Sequence, residues 1–194
     1  MSALEWLAPD GAWTVEGERV RLRPPRRADY QAWAELRSRS RAYLQPWEPT
    51  WPPDDLTRSG FRRRLDAYAR ERAAGSAYRF LAFRMDDETL VGGLSLSNVR
   101  RGVAQTATLG YWAGEPYAGR GYTTDAVKAA VRFAFQTLGL HRVEAACVPE
   151  NDRSRRVLEK AGFEAEGRAR EYLKINGVWR DHLLFGVVSS GASE

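Results

Sequence analysis

The stretch Gly110-Tyr111-Trp112-Ala113-Gly114-Glu115-Pro116-Tyr117-Ala118-Gly119-Arg120-Gly121-Tyr122-Thr123-Thr124 lies between a strand pattern and the start of a long helical pattern. Its glycines let the backbone approach a ligand closely. The first turn of the following helix offers free amide N–H groups at the positive end of its dipole, a combination that attracts phosphate. Arg120 can add a charge. An ordinary helix entry capped by Thr123 or Thr124 explains the same residues, so the loop alone leaves both readings open. Two other phosphate loops are excluded. A dinucleotide-binding fingerprint needs a third glycine where Thr124 stands and a repeated parallel βαβ layout, and a Walker loop needs a Gly-Lys-Ser/Thr tripeptide that the chain lacks. What remains is a pyrophosphate loop of a third kind.

Downstream, Val127, Ala130, Val131, Ala134 and Leu138 mark an amphipathic helix ending at Gly139. A strand over 141–148 and a helix over 152–160 follow, the helix closed by Ala161-Gly162. Strands over 163–174 and 178–188 turn at Asn176-Gly177, a preferred two-residue hairpin signal. Upstream, 104–113 reads as a strand, and strands over 77–84 and 89–98 flank a hairpin turn at Asp86-Asp87. Phe61, Leu65, Tyr68 and Ala69 recur at helical spacing, with Gly75 as the stop. The segment 44–53 contains Pro46, Pro49, Pro52 and Pro53 and is expected to be non-helical. A helix over 28–37 and an alternating strand over 18–23, closed by Pro24-Pro25, complete the pattern. This order predicts an α/β (α+β) domain with a central mixed, mostly antiparallel sheet flanked by helices. The expected boundaries are a lead at 1–17, one domain at 18–188 and a polar tail at 189–194.

A length of 194 residues suits one domain, and 43% hydrophobic residues suffice for a sizeable core. The net charge is +5, and 27 of the 30 basic residues are Arg. Guanidinium forks suit polyanionic partners, but a base composition favouring Arg codons would give the same surplus. The apolar stretches fall short of the ~20 residues that cross a bilayer. The first eleven residues carry Glu5 and Asp10 and no basic segment of the kind a secretory signal needs. The single cysteine, Cys147, cannot form an internal disulfide, and no Cys/His cluster has zinc spacing. A soluble, cytoplasmic protein without membrane attachment or a structural metal is expected.

The loop resembles the acetyl-CoA loop of the GCN-type N-acetyltransferase (GNAT) superfamily, Gln/Arg-x-x-Gly-x-Gly/Ala. Ala118, Gly121 and Thr123 stand at the matching positions, so the central glycine is kept and both ends differ. The block Asn151-Asp152-Arg153-Ser154 through Ala161-Gly162-Phe163 is similar to the family's second cofactor motif, Asn-x-x-Ser followed by a helix and Gly-Phe. Glu166-Gly167, the run 171–182, Leu44 to Pro49, Gly75-Ser76-Ala77 and the run 97–102 resemble the RimJ branch, which contains ribosomal-protein alanine N-acetyltransferases. The resemblance covers about 18–188.

It implies acetyl-CoA as the cofactor, with no metal, bound by Leu109, Gly110, Tyr111, Gly119, Arg120, Gly121, Tyr122, Thr123, Thr124, Asn151, Ser154 and Arg156. Asn151 would contact the pantetheine arm, and Arg120, Arg153, Arg155 and Arg156 are candidates for its phosphates. Family members let the acceptor amine attack the thioester directly in a ternary complex, with a backbone N–H of the strand at 109–111 meeting the thioester oxygen. Ser154 matches the serine proposed as proton donor in RimL-like relatives; a first-turn hydroxyl bonded to backbone is its other reading. Leu158 stands where other relatives carry a tyrosine. A peptide α-amine titrates at about 7.7–8.0 against about 10.4 for Lys, so a weak base suffices. The candidates are Glu48, and Glu171 with Asp181; each also reads as a solvated or capping carboxylate. Trp47, Glu48, Trp51, Tyr172 and Asp181 are expected on the acceptor side, where the proline-rich loop either shapes a peptide cleft or simply packs. Cys147 alternates with Val143 and Ala145 and reads as a core residue.

The expected acceptor is a protein N-terminus, an alanine of a ribosomal protein above all. Small amines, such as an aminoglycoside or polyamine, and a ribosome- or RNA-associated role are the other readings. Ribosome association is compatible with the basic surface, no specific nucleic-acid contact is expected, and the chain reads as a monomer or homodimer. The run Arg62-Arg63-Arg64 is a solvated helix face or a docking surface.

Overall fold

The structure is a computed structural model, and it describes residues 13–190. Eight strands form one sheet: β1 (Val15–Glu16), β2 (Val20–Arg23), β3 (Tyr78–Arg84), β4 (Leu90–Arg100), β5 (Thr106–Ala113), β6 (Arg142–Cys147), β7 (Glu164–Ile175) and β8 (Val178–Val188). Their order is β1-β2-β3-β4-β5-β6-β8-β7, and every neighbouring pair is antiparallel except β5 with β6. The helices are α1 (Tyr30–Arg39), α2 (Arg41–Leu44), α3 (Arg58–Ala73), α4 (Tyr122–Arg132) and α5 (Asp152–Lys160). This is the single domain with a mixed, mostly antiparallel sheet that the sequence predicts. Among the described residues no helix is long and apolar enough to cross a membrane.

Strand alternation sends side chains to two cores. Leu94, Leu96, Ala107, Leu109, Val143 and Ala145 meet Val127, Ala130 and Ala134 of the α4 stretch and Leu158 of α5. On the opposite face Leu81, Phe83 and Leu90 pack against Trp33 and Leu36 of α1 and Phe61 of α3, with Trp112 beside them. On β5, Ala107 and Leu109 therefore face α4, whereas Thr108, Gly110 and Trp112 take the opposite face, where Trp112 meets the cluster formed with α1 and α3.

Three expectations shift. The sheet begins inside the segment read as a lead: Val15 pairs with Leu22, and Trp13 packs on Tyr78 and Phe133. Two paired residues are too short for alternation to register. The proline-rich segment is not wholly non-helical, because Gln45–Trp47 form a 3₁₀ turn directly after α2. Pro46 sits in its first turn, where a missing N–H costs nothing. The helical pattern reaching Gly139 also divides, with α4 ending at Arg132 and Phe133–Thr137 widening into a π turn. Residues 1–12 and 191–194, including Glu5 and Asp10 and most of the polar tail, lie outside the described residues.

One buried carboxylate joins the chain's beginning to α4. Asp125, 8% exposed, accepts N–H bonds from Glu18, Arg19 and Val20 at 3.0, 2.8 and 3.0 Å. Gly17 allows that approach, since a Cβ there would lie 2.4 Å from Asp125 Oδ2. Arg19 then reaches over the Tyr122 ring (4.5 Å) and donates to the Arg120 carbonyl at 2.7 Å. The loop before α4 is thus tied to β2. Hydrogen bonds to a charged group contribute about 1.5–3 kcal/mol each, and buried donors left unpaired cost more. We expect Asp125→Ala to lower stability by about 3 kcal/mol in urea unfolding; a change below about 0.5 kcal/mol would remove the staple from the account.

Candidate active site

The parallel pair β5–β6 is zipped only over Thr106–Arg142 to Leu109–Ala145. Beyond that rung β5 stays paired with β4 as far as Ala113, and β6 stays paired with β8 as far as Cys147. The two halves of the sheet therefore diverge. The Gln105 carbonyl accepts from His141 and Arg142, which sets the odd-numbered residues of β5 with their backbone groups toward β6. By alternation the next rung would join the Tyr111 N–H to the Ala146 carbonyl, and the ladder stops before it. Both groups face the opening.

The Tyr111 side chain spans the same opening on the α4 side. Its hydroxyl lies 2.7 Å from Ser154 Oγ and donates to the Ser154 carbonyl at 3.1 Å. Burial pushes the Tyr111 phenol well up, against a smaller opposing effect of the Ser154 bond. Burial likewise raises the Cys147 thiol, against a smaller opposing effect of the Ser154 side chain. Cys147 is a buried core residue as expected. Ser154 is placed by the cap of α5: Asn151 Oδ1 accepts the Ser154 N–H at 3.1 Å. Asn151 keeps its two amide N–H donors, and Ser154 Oγ engages a tyrosine hydroxyl rather than only the helix backbone.

The long loop delivers α4 with an open first turn. Gly121, at φ +86°, is the N-cap and supplies no side chain. Neither Thr123 nor Thr124 caps the helix. The first intrahelical bond of the turn runs from Asp125 N–H to the Gly121 carbonyl, so the N–H groups of Tyr122, Thr123 and Thr124 precede any i−4 partner. Gly119 is also left-handed, and Arg120 is exposed beside it. Of the α5 arginines, Arg155 pairs with Asp152 and Glu159, Arg153 lies over the Tyr43 ring, and Arg156 is exposed.

On the other face the proline-rich loop meets the last hairpin, Asn176 N–H donating to the Glu48 carbonyl at 2.9 Å. The Glu48 side chain turns inward. Its oxygens accept from Arg37 Nη1 and Nη2 at 2.7 and 2.8 Å and from Trp51 Nε1 at 2.7 Å. The Arg37 guanidinium is stacked between Trp51 and Trp112, 4.1 and 5.0 Å from the ring centroids. Trp47 closes the 3₁₀ turn beside this cluster. Asp181 is engaged as well: Glu171 N–H and Arg168 hold its carboxyl below the usual range, the backbone bond being the larger influence. That bond secures the irregular part of β7, where Glu171 has φ +46°. Tyr172 stands half exposed with its ring edge-on to His182, 5.8 Å away. His182 is 2% exposed and its Nδ1 donates to the Arg180 carbonyl at 3.0 Å.

The sequence-predicted residues thus fall into two groups. Leu109 to Tyr111, Gly119 to Thr124, Asn151 and Ser154 gather around the opening between β5 and β6. Trp47 and Glu48 lie in the proline-rich loop, and Tyr172 and Asp181 on the last hairpin, which that loop meets through the bond from Asn176 N–H to the Glu48 carbonyl. Arg37 and Trp112 escaped the sequence reading. Arg37 follows Trp33 by four residues on the buried stripe of α1, a charged residue at an apolar position, and that spacing was the available signal. Among the described residues no group of three or more His, Cys, Asp or Glu is arranged to hold a metal ion.

A family model described as Acetyltransferase (GNAT) domain matches residues 19–164. The chain is 37% identical over 175 residues to a Bacillus subtilis (strain 168) protein named Probable N-acetyltransferase YjcK, covering 90% of this chain and 97% of that one. It is 38% identical over 158 residues to the ribosomal protein uS5-alanine N-acetyltransferase of Escherichia coli (strain K12), covering 80% and 81% of the two chains. Its fold is similar to that of Mycobacterium smegmatis RimJ in complex with CoA-disulfide, with a TM-score of 0.87, 33% identity, and coverage of 93% and 90%.

Removing one partner of a buried ion pair costs about 3–5 kcal/mol, because the other charge is left uncompensated. Arg37 and Glu48 side chains are 9% and 19% exposed. We therefore expect Glu48→Gln to destabilise the fold by about 3 kcal/mol in chemical denaturation. An unchanged unfolding midpoint would contradict a structural role for this carboxylate.

Proposed function

The chain belongs to the acetyltransferase (GNAT) family and is an acetyl-CoA-dependent N-acetyltransferase of the RimJ type; we propose that its acceptor is the N-terminal α-amine of a protein, an alanine of a ribosomal protein above all. The observation that carries the chemistry is the opening between β5 and β6, faced by the Tyr111 N–H and lying beside the uncapped first turn of α4. The residues fit the cofactor: free amides with Arg120 suit a pyrophosphate, and Asn151 has amide donors left for an amide-rich arm. The choice of acceptor is supported by the similarity to the uS5-alanine enzyme.

Acetyl-CoA supplies an acetyl group activated as a thioester. The N–H groups of Tyr122, Thr123 and Thr124 would hold its phosphates, with Arg120 and Arg156 adding charge from exposed positions. Tyr111 N–H is positioned to donate to an acyl oxygen, a preorganised donor that costs no rearrangement during reaction. Ser154 Oγ holds a proton that a departing sulfur can take, and the Tyr111 hydroxyl at 2.7 Å fixes its position. Glu48 and Asp181 serve the walls of the acceptor cleft, since the oxygens of Glu48 accept three side-chain N–H bonds and the Asp181 carboxyl is held by Arg168 and Glu171. No strong base is required, because an α-amine is partly neutral near pH 7.

Thiol release from acetyl-CoA should be observed with peptides that begin with alanine, and mass spectrometry should place the acetyl group on the α-amine. Release with polyamines or aminoglycosides and with no peptide would contradict the acceptor assignment. Ser154→Ala should lower kcat about a hundredfold while the KM for acetyl-CoA changes by less than about twofold, as expected for loss of a proton donor. Unchanged turnover would end that role.

A further inference from the structure

The Tyr111 hydroxyl carries one hydrogen and faces two oxygens of the same residue, the Ser154 carbonyl at 3.1 Å and Ser154 Oγ at 2.7 Å. A hydroxyl has one O–H donor and two lone pairs, so these contacts admit two arrangements of the two hydrogens. In the first, Tyr111 donates to the carbonyl and the serine O–H is spent on the phenol oxygen. In the second, Tyr111 donates to Oγ and the serine O–H is free to point elsewhere. Passing from the first to the second keeps a bond across 2.7 Å, a common O–H···O distance, and gives up only the longer one.

Both oxygens are anchored. Tyr111 pairs with Leu94 on β4, and its ring packs against the core between the sheet and α4. A phenol oxygen is fixed to its ring, so it stays where the strand and the core put it. Ser154 is held at its backbone, where its N–H donates to Asn151 Oδ1 at 3.1 Å. Its side chain keeps one torsion, and the contact with Tyr111 selects among the staggered positions of Oγ. Burial pushes the phenol up, so Tyr111 keeps its hydrogen near neutral pH and is a donor there, not a base.

We propose that Tyr111 is a positioning residue for acetyl transfer: by donating to Ser154 Oγ, its hydroxyl turns the one serine hydrogen toward the departing sulfur. This role rests on Ser154 as the proton donor. The Ser154 O–H bond breaks and its proton goes to the sulfur, which keeps the electron pair of the broken C–S bond. The Tyr111 hydrogen turns from the carbonyl to Oγ and meets the negative charge growing there, where a hydrogen bond is stronger than between neutral groups. Tyr111 itself gives up no proton. The attacking nitrogen loses its surplus proton to water, and water returns one to Ser154.

A double-mutant cycle tests it, read as thiol release from acetyl-CoA with a peptide beginning with alanine, or with spermidine where that peptide is inert. Tyr111→Phe should lower kcat about tenfold, the effect of losing one ordinary hydrogen bond, with the KM for acetyl-CoA and the unfolding midpoint little changed. Tyr111→Phe/Ser154→Ala should match Ser154→Ala within about twofold, because a residue that acts through Ser154 then has nothing to act on. Wild-type kcat in Tyr111→Phe would overturn the positioning role and leave Ser154 as donor. A double variant about tenfold slower than Ser154→Ala would do the same, since independent effects multiply. Wild-type kcat in Ser154→Ala would overturn both. A ring-fluorinated tyrosine in place of Tyr111 keeps the hydroxyl and the ring and makes the phenol a stronger donor and a weaker acceptor. It should raise kcat, and an unchanged or lower value would overturn the donor role of Tyr111.

Discussion

A single parallel strand pair governs the architecture. Six of the seven strand pairings are antiparallel and can run on as long as their residues allow. The β5–β6 ladder stops at Leu109 and Ala145, while β5 stays paired with β4 and β6 with β8 along their other edges. The sheet opens from that rung as two halves that twist apart. Tyr111, Ser154 and the first turn of α4 acquire their places from the opening. Tyr111 presents its N–H into it, α5 begins at its edge with Ser154 on the first turn, and α4 starts where β5 has run out.

An opening in a sheet has to be held, since unpaired backbone groups are costly when dry. The Tyr111–Ser154 contact bridges the two sides at 2.7 Å, and Asn151 fixes the serine through the helix cap. Asp125 holds α4 to the 17–20 turn, and the Arg37–Glu48–Trp51 cluster holds the proline-rich loop against α1 and Trp112. The last hairpin rests on that loop through Asn176. The last hairpin is therefore coupled by hydrogen bonds to the loop between α2 and α3, and the Glu48 and Asp181 carboxylates are both engaged in this framework.

Much of this was legible because the period of the hydrophobic pattern changes with the element. Val143, Ala145 and Cys147 alternate on β6, and Val127, Ala130 and Ala134 recur at helical spacing, so strand and helix are told apart by residue interval alone. The turn at Asn176-Gly177 and the helix stop at Ala161-Gly162 carry local chemistry, and local chemistry reads directly. What was hidden depends on contacts distant in sequence. Nothing near Glu48 announces Arg37 eleven residues away, and nothing near Asp125 announces the amides at 18–20. Ser154 could be singled out by its place in a motif, but its tyrosine partner lies 43 residues earlier and is brought to it only by the divergence of β5 from β6. Arginine content was the least informative feature. The fold assigns arginines to aromatic stacks, ion pairs and the exposed loop before α4, places that the composition cannot distinguish.

The most direct measurement of the central claim is an amide NMR titration of the chain with CoA. Shifts that saturate at Tyr111, Tyr122, Thr123, Thr124, Asn151 and Ser154, with little change along the 24–27 loop and α3, are the result that the diverging strands and uncapped helix predict. Saturable shifts centred elsewhere, with Tyr111 and the first turn of α4 unmoved, would contradict it.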